Sequence, residues 1–177
     1  ARTAGPGIRA VLWLQGCAKR CPGCITPEML KITPRTWVDV DKLAGLLLVL
    51  DDIEGITLYG GEPLLQYRAL ANLFQQITAG GLSTVVYTGY LYEELCRHPD
   101  PAMQTVLAHT DILIDGPYIR ELDHGEMWRG SANQRILFLS RRYREEYRWV
   151  VEAKNRDLCI HHDADGNYVI LGIPPRT

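Results

Sequence analysis

The sequence predicts an α/β fold built on a parallel sheet, and three observations predict it. Short β-rich runs alternate with amphipathic helical segments, the order that makes strand–helix–strand units with parallel neighbours. Two unusual loops, "GCAKRCPGC" at 16–24 and "LYGGEPL" at 58–64, each follow a predicted strand directly. The tail then changes to a pattern that reads as an antiparallel hairpin. From the alternation alone, a doubly wound sheet and a partial barrel both remain open.

In chain order, "RAVLWLQ" (9–15) reads as a buried strand. Asp39 or Asp41 supplies an N-cap for a helix running to about Leu50. "GITLY" (55–59) is the next strand. Pro63 occupies a first-turn position ahead of Leu65, Leu70, Leu73, Phe74 and Ile77, with Gly80 and Gly81 as the stop. Strands follow at "STVVYT" (83–88), "DILID" (111–115) and "RILFL" (135–139), with short helices expected around 91–97 and 101–108. The tail "DLCIHH", "DADG" and "NYVILG" forms the hairpin at 157–172. The reading is a core of residues 1–140 with an extension, 141–177, in the same globular unit. The hairpin is expected to extend the sheet.

Composition narrows the function classes. The chain has 177 residues, 46% of them hydrophobic, enough for one continuous core. A net charge of −2 gives no footprint for nucleic acid or an anionic membrane surface. Arg141, Arg142 and Arg144 are followed at once by Glu145 and Glu146, so that run reads as solvated surface. "LAGLLLVL" (43–50) falls far short of the ~20 apolar residues of a membrane span. No secretory signal is expected, and the chain opens on Ala1 without a methionine. Five cysteines, odd in number and unevenly spaced, argue against a disulfide framework and for a reducing cytoplasm.

Cys17, Cys21 and Cys24 lie within eight residues, in the spacing C-x3-C-x2-C. Functional loops of parallel α/β folds gather at the carboxyl ends of strands, where this one falls. Pro22 and Gly23 let the chain fold tightly around a common centre, and Lys19 and Arg20 offset thiolate charge. Structural zinc needs four closed ligands, so the fourth would have to come from far along the chain, with His161, His162 and Cys159 as candidates. An electron-transfer cluster also wants a fourth cysteine. A [4Fe–4S] cube held by three cysteines instead leaves one iron open, as catalysis requires. Gly60 and Gly61 allow a ligand close to the backbone, and Glu62 adds a carboxylate suited to an ammonium group.

These two loops make the chain resemble the radical S-adenosylmethionine enzymes, and within them the activating enzymes of anaerobic (class III) ribonucleotide reductase. "GPGIR" (5–9), "GITLYGGEPL" (55–64), "VYTGYLYEEL" (86–95), "DILIDGPY" (111–118) and "WRGSANQRI" (128–136) carry the resemblance in consistent order. It implies a partial parallel (β/α) barrel of the radical SAM type with a C-terminal β-hairpin extension. It further implies a [4Fe–4S] cluster on Cys17, Cys21 and Cys24, with S-adenosylmethionine chelating the open iron. Gly60, Gly61 and Glu62 would orient the amino end, and Gly23 and Ile25 would lie near the nucleoside. Asp115, Arg129, Ser131 and Asn133 are further cofactor-side candidates, the last three alternatively capping a loop. Reductive cleavage to methionine and a 5′-deoxyadenosyl radical would then generate a glycyl radical on a large partner enzyme. A flavodoxin or ferredoxin is the implied low-potential donor. Ile25 and Pro117 depart from the family pattern, which often has an aromatic residue and a lysine there.

Two other readings stand beside this one: a radical enzyme acting directly on a peptide or small metabolite, and a non-catalytic three-cysteine zinc or electron-transfer module. Cys96 and Cys159 are expected to be buried thiols. Cys159 and His161 share a strand face while His162 points away, so no metal site is expected there. "DADGN" (163–167) reads as a hairpin turn. Thr88, Gly89 and Tyr90 are expected to line the site, and Trp13, Trp37, Trp128 and Trp149 to be core.

Overall fold

In the computed structural model, the described residues are 1–33, 36–154, 156–162 and 164–173. Strands β1 (Arg9–Leu14), β2 (Gly55–Gly60), β3 (Ser83–Tyr87) and β4 (Ile112–Asp115) pair in sequence order, all parallel. β5 (Arg135–Phe138) continues the sheet antiparallel to β4, with Asp115 opposite Arg135. The result is a mainly parallel five-stranded sheet whose edges are β1 and β5.

Helices α1 (Val40–Leu48), α2 (Tyr67–Ala79) and α4 (Pro101–Ala108), with the short α3 (Tyr92–Cys96), fill the crossovers. Asp39 caps α1, its carboxylate accepting the Lys42 N–H at 2.9 Å. Asp100 caps α4 through the Ala102 N–H, with Pro101 in the first turn, where its missing N–H costs nothing. The helix expected from Pro63 starts as a 3₁₀ turn, Pro63–Gln66, and becomes α-helical at Tyr67.

Alternation along the strands gives the sheet two unlike faces. Ile56, Leu58, Val86 and Leu113 face the helices and join Leu70, Phe74, Ile77, Met103 and Val106 in the main core. Val85, Ile112, Ile114 and Ile136 face the other way. There they are covered by Tyr143 and Val150 from the segment after β5, with Met127, Trp128 and Tyr147 packed alongside.

The terminal hairpin, β6 (Cys159–His162) with β7 (Tyr168–Leu171), is borne out as antiparallel pairing. It does not extend the main sheet as expected but forms a sheet of its own. The adjacent segment instead covers the sheet's second face, because an open sheet needs that apolar face buried. The expected face assignment for His161 and the turn containing Asp163 lie outside the described side chains and residues.

Cys96 is exposed and Cys159 half-buried, against the expectation of two buried thiols. The tryptophans are not core either. Trp13, Trp37 and Trp149 are 40%, 85% and 57% exposed, since they sit on an edge strand, the connection from β1 to α1 and a 3₁₀ turn. Trp128 is half-buried, packs on Tyr147, and takes a left-handed backbone at φ 58°.

Candidate functional site

The loops after β1 and β2 are tied to each other by backbone hydrogen bonds. The Gly61 N–H donates to the Leu14 carbonyl at 2.8 Å and the Glu62 N–H to the Gly16 carbonyl at 2.7 Å. The Gly16 N–H donates in turn to the Met29 carbonyl, and the Thr26 hydroxyl to the Gly60 carbonyl at 3.0 Å. Gly60 takes φ 119°, and a Cβ on it would stand 2.2 Å from the Leu14 oxygen. A Cβ on Gly61 would stand 2.2 Å from the Gly16 oxygen. What crowds Gly60 is therefore the end of β1, and what crowds Gly61 is the cysteine loop's own backbone. These glycines are the condition for the two loops to meet.

The cysteine loop turns tightly. The Cys24 N–H reaches the Cys21 carbonyl at 3.1 Å, and Gly23 between them takes φ 70°, a conformation a side chain strains. Cys17 is buried, while Cys21 and Cys24 are half-buried free thiols. All three line one cavity of about 160 Å³, together with Lys19, Gly60, Gly61 and Glu62. Burial is the main cause raising the Cys21 thiol pKa, and the neighbouring Cys17 and Cys24 add to it; Lys19 opposes them.

Glu62 is 1% exposed. One carboxylate oxygen accepts the Leu64 N–H at 3.0 Å and the Thr88 hydroxyl at 2.9 Å; the other accepts the Gly89 N–H at 2.7 Å. Glu62 thus caps the 3₁₀ turn and staples it to the loop after β3. A carboxylate offers about four acceptor sites, so three internal donors leave room for one more. Burial pushes its carboxyl above the usual range, opposed by those hydrogen bonds and by Lys19.

Three aromatic residues lie across the carboxyl ends of adjacent strands. Trp13 pairs with Tyr59 in register and stacks on it, ring centroids 5.3 Å apart. Tyr59 lies 4.3 Å from Tyr87. All three line the cavity of the thiols. Burial pushes the Tyr59 hydroxyl up to about 12.

Comparison with known proteins fits this arrangement. Residues 3–137 match the 4Fe–4S single cluster domain family. The anaerobic ribonucleoside-triphosphate reductase-activating protein of Escherichia coli K12 is 33% identical over 147 residues, 76% of this chain and 91% of that one. The protein of the same name from Enterobacteria phage T4 is 30% identical over 138 residues, covering 75% and 85%. The pyruvate formate-lyase-activating enzyme of Staphylococcus epidermidis is 34% identical over 149 residues; the match covers 78% of this chain but only 57% of that enzyme. The chain belongs to the radical S-adenosylmethionine activating-enzyme family.

The donor set suits the family's cluster. Among the described residues, the cavity lining holds three cysteines and no histidine, and no three His, Cys, Asp or Glu side chains converge on a single metal position. A closed zinc site takes four ligands on one ion. A cubane takes each thiolate on a different iron, and the three cysteines lining this cavity are of the type and number that such a cluster with one open iron uses.

Of the other residues expected at the activase site, Ile25, Thr88 and Gly89 line the cavity with Glu62, while Gly23 and Tyr90 do not. Asp115, Arg129, Ser131 and Asn133 also lie outside it. Asp115 is fully buried, paired with Arg135, and accepts the Tyr92 N–H at 2.8 Å. Ser131 accepts the Ile119 N–H, Asn133 donates to the Pro117 carbonyl, and Arg129 donates to the Gln134 and Val151 carbonyls. These side chains hold backbone. From the same stretches, Gly116, Tyr118, Gly130 and Gln134 reach the cavity.

Sequence reasoning passed over Trp13, Tyr59 and Tyr87 as cavity residues. The signal was present: each is an aromatic near the carboxyl end of its strand, in "VLWLQ", "TLYGG" and "VVYTG". Gln134 left no such signal, since its place depends on where the 116–134 connection folds back.

Proposed function

We propose that this protein reductively cleaves S-adenosylmethionine at a [4Fe–4S] cluster and installs a glycyl radical on a large partner enzyme of the anaerobic ribonucleotide reductase class. The observation that carries the reading is the cavity itself, where the three thiols of the β1 loop and the Gly60–Gly61–Glu62 segment of the β2 loop form one wall. The mainly parallel sheet, closed on its second face by the C-terminal segment, supports a partial (β/α) barrel. The partner class comes from the names of the relatives. A flavodoxin or ferredoxin is the donor class that a low-potential cluster calls for.

Cys17, Cys21 and Cys24 would hold the cluster. When bound, cluster and cofactor together supply one-electron cleavage of a sulfonium carbon–sulfur bond and the 5′-deoxyadenosyl radical that takes a glycine α-hydrogen. The chain's own part is to bind, orient and exclude water. Glu62 offers its remaining acceptor site to the cofactor's amino group, with Gly60 and Gly61 presenting backbone beside it. Ile25, and the backbone at Gly23, serve the nucleoside end. The Trp13–Tyr59–Tyr87 row gives the cavity an apolar wall that limits water where a radical forms. Asp115, Arg129, Ser131 and Asn133 act as positioning residues, fixing the segments that present Gly116, Tyr118, Gly130 and Gln134.

The test is 5′-deoxyadenosine release by protein reconstituted anaerobically with iron and sulfide, given dithionite and S-adenosylmethionine. Wild type should carry about four irons and release product. Cys17→Ala, Cys21→Ala and Cys24→Ala should each abolish release, while Cys96→Ala and Cys159→Ala should leave it intact. An intact four-iron cluster that releases nothing, even with the candidate reductase present, would sink the proposal.

A further inference from the structure

The terminal hairpin keeps one face in solvent. Residues directly opposite on an antiparallel pair share a face, so Ile160 with Ile170 and His162 with Tyr168 lie on one side of it. Ile160, Tyr168 and Ile170 are 62%, 69% and 55% exposed, and the His162 ring stands 4.7 Å from the Tyr168 ring. None of the four is a carboxylate, a lysine or an arginine. The hairpin is held at its root. Cys159 and Leu171, paired on the other face, are half-buried, and the Thr3 hydroxyl donates to the Leu171 carbonyl at 3.2 Å. A two-stranded hairpin with an uncovered apolar face is marginal by itself, and such a patch, apolar and poor in charge, is what the core of an interface is made of.

Its position says which partner covers it. Asp157 before the hairpin and Ile173 after it line a second cavity of about 290 Å³, together with Arg2, Trp128 and Tyr147. Tyr59, Tyr87 and Ile173 line both this cavity and that of the three thiols. The root of the hairpin therefore stands where the two cavities adjoin, and a polypeptide that brings its target to the thiols comes alongside it. The family match stops at residue 137, before the hairpin begins, so the hairpin lies outside the part shared with that family. It can serve recognition of a partner without serving the chemistry. We propose that the Ile160–His162–Tyr168–Ile170 face docks an apolar surface of the large glycyl-radical enzyme, next to the segment that carries its target glycine. The proposal rests on the partner reading above and adds to it the surface that recognises the partner.

Two double variants test it, Ile160→Lys with Ile170→Lys and Ile160→Thr with Ile170→Thr. Each is reconstituted with iron and sulfide and compared with wild type against the anaerobic ribonucleoside-triphosphate reductase of the same organism. Both positions are exposed, so iron content, circular dichroism and 5′-deoxyadenosine release without reductase should match wild type. Binding is read by anaerobic titration calorimetry, and activation by counting glycyl-radical spins against reductase concentration. The lysine pair should weaken binding at least about tenfold and raise the half-maximal reductase concentration to match, with the maximal rate unchanged. The threonine pair keeps the β-branched shape that strands favour, and carries the same comparison if the lysine pair fails to fold. Wild type that binds and activates the reductase no better than the folded variants overturns the docking face alone. So does a wild-type dimer that the variants dissolve with activation unaltered, which would make the face a contact between two copies. Wild type that holds about four irons and releases 5′-deoxyadenosine, yet neither binds nor activates the reductase, removes the partner reading and this proposal together.

Discussion

Glu62 carries two demands on one carboxylate. It satisfies the Leu64 and Gly89 N–H groups and the Thr88 hydroxyl, and it faces the cavity. In Glu62→Gln, an amide nitrogen must face one set of these donors, leaving a buried group unpaired at a cost of about 1–3 kcal/mol. The expected outcome is a lower unfolding midpoint in urea with iron loading near wild type and weakened cofactor binding; loss of the cluster would refute this division of roles. Tyr59 gives a pH signature. Its pKa is raised from 10.0 to about 12 by burial, so the folded state favours the neutral phenol. Its contribution is therefore fully present below 10.0 and lost as pH rises through about 12. Thermal unfolding across that window should show less alkaline loss in Tyr59→Phe than in wild type.

At the scale of elements, two glycines make opposite predictions. Gly61 lies where a side chain would strike the Gly16 and Met29 carbonyls, backbone that belongs to the cysteine loop and its following turn. Gly61→Ala should therefore separate the loops and lower iron incorporation measurably. Gly45 lies inside α1, exposed, and a Cβ on it would meet nothing within 4 Å. Gly45→Ala should stabilise the fold by about 0.5–1 kcal/mol, read from the urea midpoint, since glycine's extra unfolded freedom is removed without a collision. The β1 element adds a further lesson. Arg9 is 2% exposed, and its guanidinium donates to Thr57, Ser83 and the Pro6, Ile56 and Ser83 carbonyls. A buried arginine with this many partners pins the amino ends of β1, β2 and β3 together. That leaves their carboxyl ends as the side on which the loops diverge.

For the whole molecule, the segment after β5 decides whether the sheet is covered. Tyr143 is 5% exposed, lies in the second core, and bonds through its hydroxyl to Glu54 and, at 2.8 Å, Ser83. Tyr143→Ala should cost about 3–5 kcal/mol in urea unfolding. Trp149→Ala, in the same segment but 57% exposed, should stay within about 0.5 kcal/mol. The contrast separates a segment that completes the fold from one merely appended to it. The exit of the hairpin, Gly172 and Ile173, also lines the cavity of the three thiols. The tail therefore reaches the site as well as the core.

The sequence by itself determined the order of strands and helices, the parallel core, and the positions of the two loops. Those follow from local periodicity, caps and turn residues, which act over a few positions. The three cysteines and Gly60–Gly61–Glu62 were legible for the same reason, as short runs at strand ends. Only the tertiary structure decided that β5 runs antiparallel, that the hairpin stands apart from the main sheet, and that Trp13 is a cavity residue instead of a core one. It also showed which backbone groups Asp115, Ser131 and Asn133 bind, and brought Lys19 beside Glu62 from a distant part of the chain. These outcomes depend on which surfaces meet, and burial of the sheet's second face by a distant segment has no signature in any local window.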